Sequence, residues 1–239
     1  MKLTRLLSVA VIAMFAAPIA VNAQSIAINF GADQPGGGTA GTPTPVTSSV
    51  DGSAGLFGTS VWNNFEGPNS DEPFALLSDD GSDSGVVVEW ASNGVWASTG
   101  RGEENNTAPV GNDRNLMTGY LDTAGAGGMG VDISVSGLSY PSFDVYVYTT
   151  GGVIGRGGEY TIGDITQTNT TTNPFDGTYV EGAEGNYLVF PGLTGDSFNL
   201  LTVPTIGSPE RAPVNGIEIR GVPEPSTSLP FVFGLLGLL

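Results

Sequence analysis

The sequence predicts an all-β protein, a single two-sheet β-sandwich of the jelly-roll kind. Short runs with apolar residues at alternate positions recur along the chain, separated by clusters of Gly, Asn, Asp, Ser and Thr. Glycine accounts for 37 of 239 residues, and outside the two ends no window of helical length keeps a 3.6-residue apolar period. Long polar connections between short strands favour a sandwich over a barrel.

Seven runs are predicted as strands, in the order 26–30, 86–90, 131–135, 143–147, 187–190, 198–203 and 217–219. The run at 143–147 is the most informative. Its odd-numbered positions are apolar and form a core face, while Asp144, Tyr146 and Tyr148 form a half-polar aromatic face. Residues 34–50 and 101–113 are expected to be surface loops, because they are rich in Gly, Thr, Pro, Asn and Glu.

The first 23 residues have the pattern of an export signal. Lys2 and Arg5 precede an apolar stretch at residues 6–21, and the small residue Ala23 precedes Gln24 at the expected cleavage point. The alternative is a membrane anchor that is never cut. Both interpretations predict export, and we expect a signal helix at residues 1–23.

The other end carries Val222-Pro223-Glu224-Pro225-Ser226-Thr227 and then an apolar run at residues 229–239. This order resembles the PEP-CTERM sorting signal, whose core here is Pro223, Glu224 and Pro225. The resemblance implies processing by a membrane exosortase and an association with exopolysaccharide. It also implies a place at the cell surface, the outer membrane or the extracellular matrix.

The tail departs from that family in two respects. No Arg or Lys follows the apolar run, and the run has 11 residues where a spanning helix needs about 20. We expect the tail to be truncated and to meet the membrane only transiently. The predicted organisation is a signal peptide at 1–23, a β-sandwich domain at 24–221 and a sorting tail at 222–239.

Charge and composition exclude several classes of partner and reaction. The net charge of −17 disfavours nucleic acid and anionic lipid, which are bound through Lys and Arg. The chain has no His and no Cys, and its single Lys is Lys2. Serine and cysteine triads, His- or Cys-ligated zinc, thiol redox chemistry and a lysine Schiff base are therefore excluded.

A pair of carboxylates is the catalytic device that remains. The best acids are Glu89, Asp144 and Glu218, each inside a predicted strand, but alternation places Glu89 and Glu218 on the solvent face. We therefore predict that the protein is not an enzyme and requires no cofactor.

Calcium is the ion that the sequence could bind. Asp79, Asp80 and Asp83 fall in one Ser- and Gly-rich loop, and calcium takes six to eight oxygen ligands. The spacing matches no EF-hand or nonapeptide pattern, so the alternative is an acidic hairpin turn.

Aromatic side chains suggest a glycan-binding platform. Trp96, Tyr146 and Tyr148 could stack on sugar rings, with Asp144, and with Arg156 beside them, bonding to hydroxyls. Trp90 is expected in the core and Trp62 under a loop.

The segments Ile26-Ala27-Ile28-Asn29-Phe30-Gly31, Val61-Trp62-Asn63-Asn64 and Val214-Asn215-Gly216-Ile217-Glu218-Ile219 resemble sandwich domains of PEP-CTERM proteins. The last of them is also similar to the closing strand of galactose-binding-like jelly rolls, including malectin-type carbohydrate-binding modules. This second resemblance supports the fold more than any ligand.

Three functions stay open from the sequence. The first is a surface-sorted, non-catalytic sandwich that binds exopolysaccharide, with signal peptidase and exosortase as its processing enzymes. The second is a structural matrix protein without a specific ligand. The third, and least favoured, is a glycan hydrolase with two carboxylates.

Overall fold

A computed structural model describes residues 24–34, 48–100, 103–125 and 127–223. Those up to Val222 belong to one compact unit. The predicted signal helix, Ala23 at its cleavage point, and Glu224, Pro225 and the apolar run of the tail lie outside the described residues. None of the helices in the described part is both long and apolar enough to span a bilayer.

The described chain is built almost entirely from strands. In chain order the elements are β1 (Ser25–Phe30), β2 (Trp62–Phe65), β3 (Phe74–Leu77), β4 (Asp83–Ala91), β5 (Gly94–Ala97), α1 (Asn112–Leu116), β6 (Gly119–Asp122), β7 (Asp132–Ser136), β8 (Phe143–Tyr148), β9 (Gly157–Ile162), β10 (Ile165–Thr170), β11 (Tyr187–Leu193), β12 (Ser197–Ile206) and β13 (Gly216–Gly221).

Two large sheets form the predicted sandwich. The first has the order β11-β8-β13-β1-β2 and the second the order β10-β9-β12-β7-β4-β3. The pairing is antiparallel apart from β1 and β2, which run parallel. A separate two-stranded ribbon, β5-β6, lies at one end and carries Trp96 opposite Tyr120. The all-β sandwich is therefore confirmed.

The core between the two sheets consists of the alternate apolar positions that predicted the strands. All seven predicted runs are strands or border one, and Trp90 is buried as expected. The inward side chains are completely or nearly completely enclosed. Among them are Ile28, Phe30, Val88, Trp90, Ile133, Val145, Tyr160, Phe190, Leu200 and Ile217.

The first sheet is also covered on its second face. A smaller apolar cluster lies there, in which Ala54, Trp62 of β2, Leu116 of α1 and Phe175 pack against Tyr148 of β8. As expected, Trp62 is buried, and its Nε1 donates to the carbonyl oxygen of Thr59 at 2.8 Å. Of the surface loop expected at 101–113, residues 112–113 belong to α1, and Asn105 and Asn106 are buried.

The segments that pack on the second face of the first sheet correct one expectation from the sequence, namely that Glu89 and Glu218 both face solvent. Glu89 is exposed as alternation predicts, but Glu218 is fully buried. Strand alternation assigns a residue to a face, and it says nothing about a segment that later folds over that face. Here residues 53–59 close over Glu218.

Candidate functional site

The carboxylates of the acidic turn accept hydrogen bonds from nearby groups of the protein. The Ser25 hydroxyl donates to Asp79 at 2.7 Å, the Ser82 amide and hydroxyl donate to Asp80, and the Gly85 amide donates to Asp83 at 2.9 Å. The Ser82 bonds lower the pKa of Asp80. Among the described residues no group of three or more acidic side chains could hold a metal ion. The loop is an acidic turn whose carboxylates satisfy nearby donors.

The predicted aromatic platform is divided by the fold. Tyr148 is completely buried, so it cannot present a face to a sugar, which corrects the prediction for this residue. Tyr146 is half-buried with its ring 4.8 Å from that of Phe57, edge to face. Asp144 accepts the Gly192 amide at 2.7 Å. Trp96 lies in a different sheet from these three residues.

Trp96 is the predicted residue that belongs to a polar site. Its side chain, on β5, is 37% exposed, and its Nε1 donates to Oε2 of Glu103 at 3.3 Å. Oε1 of the same carboxylate lies 4.0 Å from Nη1 of Arg156. An exposed indole, a carboxylate and a guanidinium are thus linked in one row, which we call the Trp96 row.

A small pocket adjoins the Trp96 row. It has a volume of about 10 Å³, enough for one water-sized group, and Arg156 contributes to both the row and the pocket lining. The Gly152 amide donates to the phenol oxygen of Tyr120 at 3.1 Å in its wall. Arg211 and Val153 also line it. We call it the Arg156 pocket.

Charges around the Arg156 pocket are balanced within the protein. Nε of Arg211 lies 3.3 Å from Oδ1 of Asp122, as Arg156 lies beside Glu103. Burial raises the pKa of Asp122, and Arg211 opposes that shift. Burial and the charge of Asp122 raise the pKa of Tyr120 far above its ordinary value, so its phenol stays neutral. The pocket therefore offers two guanidinium groups without a net positive charge.

Several buried polar groups without partners belong to the pocket lining or to residues bonded or adjacent in sequence to it. Of five such atoms among the described residues, four are Oδ1 of Asn105, the hydroxyls of Thr149 and Thr150, and Nε of Arg156. Nδ2 of Asn105 donates to the carbonyl oxygen of Gly151, in the pocket wall. An unpaired buried polar group costs about 1–3 kcal/mol. This end of the sandwich therefore carries hydrogen-bonding capacity that the fold itself does not use.

Glu218 forms a second polar centre, which the sequence did not reveal. The Thr59 and Tyr148 hydroxyls donate to its carboxylate, and the Leu56 amide donates to the Tyr148 oxygen at 2.8 Å. Nη1 of Arg220 is 4.0 Å away. Burial raises the pKa of Glu218 although both hydroxyl bonds lower it. Because residues 53–59 cover the carboxyl group, it holds this segment in place and has no open face for a substrate.

A second, more voluminous cleft is formed by the segment that connects β10 to β11, and we call it the shallow cleft. It has a volume of about 260 Å³ and is lined by Asp176, Val180, Glu184 and Asn186, among others. The amide of Asn186 is occupied by backbone groups, since its Nδ2 donates to the Thr178 carbonyl oxygen and its Oδ1 accepts the Val180 amide. No aromatic side chain lines the cleft, in contrast to the surroundings of the Arg156 pocket.

Sequence reasoning identified Trp96 and Arg156 but missed Glu103, Asp122 and Arg211. Four arginines are described, at 114, 156, 211 and 220, and two of them line one pocket. In so acidic a chain the rarity of basic residues was a usable signal. Nothing in the sequence indicated that Glu103, Arg156 and Arg211 lie around one pocket, because these residues are far apart along the chain.

No family model and no curated protein matches the chain. Two solved structures are similar to it. Protein YxiM of Bacillus subtilis is 9% identical with a TM-score of 0.36, and the match covers 83% of this chain and 40% of that one. The ANX2 ectodomain of Arabidopsis thaliana is 14% identical with a TM-score of 0.45, with 84% and 50% covered. The chain spans half or less of the length of either structure, and neither similarity bears on ligand or activity.

Proposed function

We propose that the chain is an exported, non-catalytic protein of the cell surface or extracellular matrix that binds exopolysaccharide at the Trp96 row. The observation that carries the proposal is the link from the exposed indole of Trp96 through Glu103 to Arg156. An indole face offers an apolar surface to the C–H face of a sugar, while its polar edge stays in water. Glu103 and Arg156 then supply charged hydrogen-bonding groups for sugar hydroxyls.

A neutral glycan fits this site better than a polyanion. Both guanidinium groups of the Arg156 pocket already have carboxylate partners, at 4.0 Å and 3.3 Å. The whole chain carries a net charge of −17, which repels anionic polymers. A hydroxyl can accept a bond from an arginine and donate one to a carboxylate, so it binds without breaking either ion pair.

Replacing Trp96 by alanine is expected to weaken retention on a neutral polysaccharide about two- to tenfold, because stacking by an aromatic ring contributes about 0.5–1.5 kcal/mol. Affinity electrophoresis of the mature protein against a panel of neutral glycans measures this.

Phe57→Ala is the matched control for the Trp96 change, since Phe57 is 42% exposed and lies outside the site. Glu184→Ala tests the shallow cleft in the same assay. Equal mobility of all proteins on every glycan would leave a structural matrix role without a specific ligand. Loss with Glu184→Ala instead of Trp96→Ala would move the site to the cleft.

Export and sorting form the second part of the proposal, and they rest on residues 1–23 and on Pro223-Glu224-Pro225 with the run behind it. In the native host we expect intact mass to show cleavage after Ala23 and loss of the tail. The second loss should depend on the exosortase. An uncut tail in both the host and an exosortase-deficient strain would contradict the sorting role and leave glycan binding unaffected.

A further inference from the structure

Part of the Arg156 pocket is walled by closely packed backbone and by an enclosed tyrosine. A Cβ at position 152 would lie 1.9 Å from Oε2 of Glu103, and one at position 151 would lie 3.2 Å from Cγ of Pro213. The backbone at these two consecutive glycines therefore lies close to Glu103 and Pro213. The phenol of Tyr120 is buried and is fixed by the Gly152 amide. These groups form the fixed part of the wall, and Arg156 and Arg211 complete the lining.

The polar groups of the pocket match a hydroxyl. Arg156 lines the pocket with its guanidinium group, whose enclosed Nε has no acceptor among the described residues. The Tyr120 oxygen and the Thr171 hydroxyl are acceptors in the same lining. A sugar hydroxyl can accept from the guanidinium and donate to one of those oxygens. An ester oxygen has no proton to donate.

From size and chemistry together we propose that the pocket takes one free hydroxyl of the glycan and rejects an acylated one. The inference rests on the proposed glycan binding and names the substrate class of that same site, a neutral glycan that is unacylated at the recognised position. A volume of about 10 Å³ holds one water-sized group, whereas an acetyl group adds three heavy atoms. With the sugar ring on Trp96, an acetylated hydroxyl would have to leave the pocket and abandon the donor on Arg156.

The test compares glucomannan, galactomannan and xylan, each as an alkali-deacetylated polymer and after partial chemical acetylation. Retention of the mature protein is measured by affinity electrophoresis. We expect the deacetylated form of at least one polymer to be retained at least about fivefold more strongly than its acetylated form, since a lost buried donor contact costs about 1–3 kcal/mol.

Val153→Ala supplies the decisive variant, because it removes two methyl groups from the pocket lining. We expect it to reduce the preference for the deacetylated polymer to below about threefold by admitting the ester. Val180→Ala is its matched control, since Val180 is 49% exposed and lies in the shallow cleft. This control should keep the full preference.

The outcomes separate the two proposals. Equal, Trp96-dependent retention of both forms would overturn the hydroxyl pocket and keep glycan binding. An unchanged preference in Val153→Ala would also overturn the pocket as its source. Retention of no polymer would overturn glycan binding, and the inference with it.

Discussion

Replacement of Phe190 by alanine is expected to lower the free energy of unfolding by about 3–5 kcal/mol. Phe190 lies on β11 opposite Val145 of β8 and is completely buried between the two sheets. Truncation removes the transfer free energy of the ring and leaves a cavity that two hydrogen-bonded sheets cannot readily close. No disulfide supports the fold, since the chain contains no cysteine.

Urea denaturation followed by tryptophan fluorescence measures this loss. The midpoint should fall while the slope of free energy against urea stays constant, as expected for a change in stability alone. Phe57→Ala removes the same ring from a position that is 42% exposed, and it should cost less than about 1 kcal/mol. Equal losses for the two variants would mean that the space between the sheets is not the principal core.

The sequence predicted the inner strands of the sandwich and missed most of its peripheral ones. β8 and β12 lie within their sheets, and their alternating apolar residues indicate one buried face. β10 reads Ile-Thr-Gln-Thr-Asn-Thr and forms an edge, where one side of the strand has no partner to fix a pattern. Its neighbour β9 is an inner strand that was missed because it begins with two glycines, which leaves only Glu159–Ile162 to show alternation.

The sequence indicated individual residues of the candidate site, but it did not indicate the contacts that bring them together. An exposed tryptophan in a polar context pointed to Trp96. Its contact with Glu103 depends on the turn between β5 and α1, which no periodicity encodes. Tyr148 was misassigned for a related reason: alternation placed it correctly on the second face of the first sheet, and the segment that buries that face comes from residues 53–59 and 105–118.

The buried carboxyl of Glu218 leads to the second large effect. Glu218→Ala should destabilise the fold by about 2–4 kcal/mol, because the buried hydroxyls of Thr59 and Tyr148 both lose their acceptor. The Leu56 amide bonds to the Tyr148 oxygen, so residues 53–59 should also become more open to hydrogen exchange. Glu218→Gln keeps the shape and an acceptor oxygen, and at neutral pH its cost should be much smaller. Urea denaturation of the two variants measures the difference.

The same residue predicts how stability changes with pH. Burial raises the pKa of Glu218 in the folded protein above the ordinary carboxyl value of about 4, so the folded state binds the proton more tightly than the unfolded state. The resulting stabilisation is fully present below pH about 4 and is lost as pH rises through the folded pKa. Asp122 acts in the same direction, because burial raises its pKa too. The free energy of unfolding should therefore fall as pH rises above about 4.

Glu218→Gln removes one of the two carboxyl groups whose pKa is raised by burial. The free energy of unfolding of this variant should therefore fall less steeply than that of the wild type over the same pH range. Adding Asp122→Asn should flatten the profile further. The slope that remains would come from mutual repulsion in a chain of net charge −17, and salt should weaken it. A Gln variant with the wild-type slope would mean that Glu218 is already ionised beneath residues 53–59, with Arg220 at 4.0 Å as its counter-charge.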